Sequence, residues 1–64
     1  MSDLDAIMLI EGGDPTDEQM IEALQTLLDS GTIWHLQGSY QRAAVAGLRE
    51  GYLTQKGERN AQVH

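Results

Sequence analysis

Trp34, Gln37, Tyr40, Gln41 and Arg42 crowd recognition chemistry into one short stretch of a 64-residue chain. Indole, phenol and guanidinium are the groups that anchor protein–protein contacts. Each offers a large rigid surface and directional donors. On a helix starting at Ile33, Trp34 falls off the apolar stripe, toward Gln37, Gly38 and Gln41. That position offers it to a partner. The competing structural reading keeps a lone Trp in the core, where most of its surface is usually removed from water.

Other chemistries find less support. Ser30, Ser39 and His35 lack the G-x-S-x-G context of an activated serine. His35 and the terminal His64 are the only imidazoles, and there is no Cys, so disulfides and thiolate metal sites are excluded. Asp14, Thr16 and Glu18 alternate oxygen donors like the opening of a calcium loop. Gln19 stands where that loop needs its Gly, and Gln25 where it needs a bidentate Glu. A capped helix start explains the same residues. The carboxylates occupy capping and solvated positions, without the apolar surroundings that raise a pKa. Gly12-Gly13 is followed by acid, which repels phosphate. The expectation is a non-enzymatic protein with no catalytic residue, cofactor or metal.

Charge is divided along the chain. Residues 1–30 carry Asp3, Asp5, Glu11, Asp14, Asp17, Glu18, Glu22 and Asp29 with no Lys or Arg, a net of −8. Residues 31–64 carry Arg42, Arg49, Lys56 and Arg59 against Glu50 and Glu58, a net of +2, and the two halves make the overall −6. Such asymmetry can orient chains against one another. It tells against a nucleic-acid binder, which needs a dense basic face. The outline of a helix-turn-helix with Gln37, Gln41 and Arg42 as base readers is kept as a third reading. A second is a DNA mimic, with the acids of residues 3–29 standing in for phosphates on a nucleic-acid-binding protein.

A chain this short buries only about 60% of its unfolded surface, so homo-oligomerisation is expected to supply missing core. The N-terminus MSDLD is acidic and the apolar run 6–10 is short. Neither a signal peptide nor a membrane span is expected, and a cytoplasmic location is the default.

Three helices must position these residues. Ser2 caps the first, Met1–Ile10, with Asp5 at capping-box distance. Leu4, Ile7 and Met8 form its stripe, and Leu9 and Ile10 lie off it, so two sides can be contacted. Gly12-Gly13 ends it. Thr16 and Gln19 form the capping box of the second helix, Asp17–Asp29, although Asp14 as cap with Pro15 as first helical residue is an alternative parse. Met20, Ile21, Leu24, Leu27 and Leu28 give this helix its apolar face, and Ser30-Gly31 stops it. The third runs 33–50, capped by Thr32, with Ile33, Leu36, Tyr40, Ala43, Ala44 and Gly47 on one face. Gly38-Ser39 is its weak point, and the alternative is a short turn followed by a helix from 40 to 50. Gly51 stops it, with Tyr52 folding back. The expected fold is all-α: a helical hairpin 17–29/33–50 crossed by a short N-terminal helix. The helical domain spans 1–53, and 54–64 is read as a disordered tail.

The string Trp34-x-Leu36-Gln37-Gly38-x-Tyr40-x-Arg42-x-Ala44, followed by Leu48 and Gly51, resembles a group of small proteins of unknown function encoded by phages of actinobacteria. The resemblance covers about residues 21–53. It carries no activity and gives no residue a role. It implies a phage product in a bacterial cytoplasm that binds a host or phage protein or self-assembles.

Overall fold

The computed structural model describes residues 1–55 as three α-helices and one 3-10 turn. Among these residues there is no strand. The expected tail lies outside the described residues from position 56 onward.

Helix α1 spans Asp3–Glu11. Ser2 caps it, and the reciprocal Ser2–Asp5 box forms as expected. Helix α2 spans Asp17–Ser30. The Thr16–Gln19 box settles its start: the Thr16 hydroxyl accepts from the Gln19 amide at 3.1 Å, and the Gln19 side chain accepts from the Thr16 amide at 2.9 Å. Pro15 therefore precedes the helix. Gly31 ends α2 and Gly51 ends the last helix, both in the left-handed conformation, with φ of 82° and 87°. Side chains with a Cβ adopt that conformation at a cost.

The third element differs from a continuous 33–50 helix. A 3-10 turn covers Thr32–His35, Leu36 and Gln37 are extended, and helix α3 runs Gly38–Glu50. The break thus falls just before Gly38-Ser39, and Gln37 is the cap residue. Two side-chain contacts hold it. The Gln41 amide donates to the carbonyls of Trp34 and Leu36, each at 3.1 Å, taking up acceptors at the end of the turn. Thr32 does not cap. Its hydroxyl instead donates to Asp3 of α1 at 2.6 Å.

The core joins all of these elements: Ala6 from α1, Ala23, Leu24, Leu27 and Leu28 from α2, Ile33 from the turn, Tyr40 and Ala44 from α3, and Leu53 beyond it. The expected faces of α2 and α3 point inward. The stripe expected for α1 does so only at Ile7. Leu4 and Met8 are 65% and 62% exposed, and the side turned inward is Ala6, with Ile7, Leu9 and Ile10 partly buried against the core. The physical reason is close approach. Ala6 and Ala23 are both wholly buried, and small side chains let two helix backbones come nearer than Leu and Met would.

Polar contacts pin α1 at both ends. At its start, the Ser30 hydroxyl lies 3.0 Å from one Asp3 oxygen and the Thr32 hydroxyl bonds the other. At its end, Tyr40 of α3 donates its phenol proton to Glu11. After α3 the chain folds back: the Tyr52 and Leu53 amides both donate to the Gly47 carbonyl, at 2.9 and 3.1 Å. The Gln25 carboxamide then grips the Thr54 backbone in both directions, donating at 2.8 Å and accepting at 3.0 Å. These contacts tie Thr54 to α2.

Candidate functional site

One face of α3 carries Gly38, Gln41, Arg42, Val45, Ala46 and Arg49, spaced as i, i+3, i+4, i+7, i+8 and i+11. With Trp34 from the turn they line a groove of about 410 Å³. The residues that make its floor are small. Gly38 has so little bulk that a Cβ there would meet the Arg42 guanidinium at 3.3 Å. Trp34 forms a wall and is 39% exposed, and Val45 is also exposed. No carboxylate lines the groove, and both of its charged residues are cations.

The five residues expected to meet a partner separate here. Trp34, Gln41 and Arg42 come together in the groove. Gln41 has a structural task as well, because its amide closes the 3-10 turn that carries Trp34. Gln37 is exposed at the break but is not in the lining. Tyr40 is drawn into the core, 8% exposed, with its hydroxyl on Glu11. It lies on the opposite face of α3 from Arg42, and the glutamate that satisfies its hydroxyl comes from another helix. Val45, Ala46 and Arg49 belong to the groove and escaped the sequence reading. The signal was present: they continue the Gly38–Arg42 face at helical spacing.

Among the described residues, the fold clearly shifts the titration of the Tyr40 phenol. It is pushed up from its ordinary 10.0 to about 12. The hydrogen bond to Glu11, which needs the phenol proton, is the largest cause. Burial and the carboxylate's charge add to it. Because the folded value lies above the unfolded one, this contribution to stability is complete below pH 10. It is lost as pH rises from 10 toward 12. In a Tyr52→Phe variant Tyr40 is the only phenol left. Ultraviolet titration of that variant should show a midpoint well above 10, with loss of helix over the same range. A midpoint at 10 would mean that the Glu11 contact does not form.

Thr16 of the calcium-like triple is spent on capping. Among the described residues no group of three or more His, Cys, Asp or Glu side chains is placed to hold a metal ion. No helix among them is long and apolar enough to cross a membrane.

A family model described as Domain of unknown function (DUF7417) matches residues 1–63. No curated protein and no solved structure matches the chain.

Proposed function

Because the chain belongs to the DUF7417 family, whose description names no activity, we propose a function from its own surface: a non-enzymatic interaction module whose α3 groove takes an acidic, amphipathic helix of a partner protein. One observation carries this reading. The groove sets an exposed indole and two guanidinium groups around a floor of small side chains, with no carboxylate among them. A helix laid in such a groove inserts apolar side chains over Val45 and Ala46 and presents acids to Arg42 and Arg49. The resemblance to phage-encoded proteins supports the finer reading, a phage product acting on a host or phage protein in the bacterial cytoplasm.

The two groove arginines share one exposed face of α3, as a DNA reader would also require. Two cations can neutralise only about two phosphates, and affinity for DNA grows with that number. The first thirty residues add eight acids. A protein partner therefore fits the charge better than DNA does. The acids of residues 3–29 would serve a DNA mimic, but Asp3 and Glu11 are engaged within the fold.

The test is capture from nuclease-treated bacterial lysate by immobilised wild-type chain, beside Trp34→Ala and Arg42→Glu. A protein held by the wild type and lost by both variants, with helix content retained, is the expected result. An identical set on all three would remove the groove from the function. Retention of DNA in an untreated lysate, lost with Arg42→Glu, would favour the DNA reading.

A further inference from the structure

Helix α1 is apolar almost all round: Leu4, Ala6, Ile7, Met8, Leu9 and Ile10 occupy a nine-residue helix. A helix of that kind is normally buried on every side. Here only one side is. Ala6 is wholly buried, with Ile7, Leu9 and Ile10 partly so, whereas Leu4 and Met8 stand 65% and 62% exposed, one turn apart on the outer face. That face is held in place, because Asp3 and Glu11 tie the two ends of α1 to the rest of the fold. On its flank Asp5 is an exposed acid.

The α3 groove is the complement of this ridge. Its floor and wall are Val45, Ala46 and Trp34, and its charges are Arg42 and Arg49. Resting on the groove reading above, we infer that the segment the groove takes is α1 of a second copy of this chain: Leu4 and Met8 enter over Val45 and Ala46 while Asp5 faces Arg42 and Arg49. The contact is heterologous, since ridge meets groove rather than like meeting like. It closes into a dimer where the rotation permits and continues as a chain where it does not.

Heterologous pairing has a signature that symmetric pairing lacks. A ridge variant, Leu4→Gln with Met8→Gln, keeps an intact groove. A groove variant, Trp34→Ala with Arg42→Glu, keeps an intact ridge. Sedimentation velocity on the full chains, across a dilution series, should give a wild-type mass that rises from 7.0 kDa to at least twice that value. Each variant alone should stay at the protomer mass, and an equimolar mixture should return to twice it and go no higher. All of the substituted residues are exposed, and a far-UV spectrum on each variant verifies that it is folded. Raising salt should weaken the wild-type association, because the matched charges are screened.

A wild type fixed at 7.0 kDa up to about millimolar concentration overturns the inference, as does a mixture of folded variants that stays at protomer mass. Association indifferent to Arg42→Glu and to salt also overturns it, by pointing to apolar contact elsewhere. These outcomes are separate from failure of the groove reading. A groove that captures another protein while the chain stays monomeric leaves that reading standing. Loss of both means that the groove binds nothing.

Discussion

Leu27→Ala unfolds the domain at temperatures where the wild type is stable. Leu27 is wholly buried and, with Ile33, is one of the two largest side chains fully removed from water. Truncating a buried Leu loses its transfer free energy and leaves a cavity, at a cost of about 2–5 kcal/mol. Folded proteins hold only about 5–15 kcal/mol in total, and the smallest sit at the low end. Each kcal/mol moves the Tm of a domain this size by about 4–8 °C, so the midpoint should fall by about 8 °C or more. Leu24, 8% exposed, should show a smaller fall on the same substitution. Leu4→Ala, on the outer face of α1, should change the midpoint of the dilute protomer little. The check is thermal denaturation followed by circular dichroism at low concentration. Near-equal midpoints for Leu27→Ala and Leu4→Ala would mean that α2 does not organise the core.

Helix ends were the most legible feature of this fold, because capping is local chemistry. The Ser2–Asp5 and Thr16–Gln19 boxes need only residues three apart, and both form. The stops at Gly31 and Gly51 depend on one residue each. The inward face of α2 was legible because its apolar side chains are large and periodic. The inward face of α1 was not. The periodic signal weighs Leu and Met heavily and Ala lightly, yet Ala6 is the residue that packs. Which side of an all-apolar helix turns inward is decided by the partner surface, here α2.

The site was legible to the extent that it is local. Trp34, Gln41 and Arg42 were singled out from their types, and they fall together in the groove lining. Tyr40 was read both on the inward face of the third helix and as a contact candidate; its burial follows the first, and its hydroxyl partner Glu11, 29 residues away, has no signal nearby. The break before α3 had the same kind of cause. Gly38-Ser39 marks a weak position, but Gln41 decides where the chain turns, by supplying donors to the carbonyls of Trp34 and Leu36. Long-range polar pairing is where one-dimensional reading stops.

Gly47→Ala should destabilise the domain although Ala is the better helix former. Replacing a mid-helix Gly by Ala ordinarily gains about 1 kcal/mol. At Gly47 the added Cβ would fall 2.5 Å from Leu53 Cδ1 and 2.7 Å from Cγ. Leu53 has no ready retreat, being 3% exposed. The amides of Tyr52 and Leu53 hold it over α3 by bonding the Gly47 carbonyl, and Gln25 holds the next residue, Thr54. Overpacking of this kind costs about 1–3 kcal/mol, enough to reverse the propensity gain. The sign should invert once the obstruction is gone. Leu53→Ala alone costs about 2–5 kcal/mol through its cavity, but in that background Gly47→Ala has room and regains its helix preference. A double-mutant cycle should therefore show a coupling of about 1–3 kcal/mol, in the range for residues in direct contact. Denaturant midpoints of the four proteins measure it. Additive effects would mean that the chain after Gly51 does not pack on Gly47, and the 47–54 return would lose its role as the seal on the far side of the α2–α3 core.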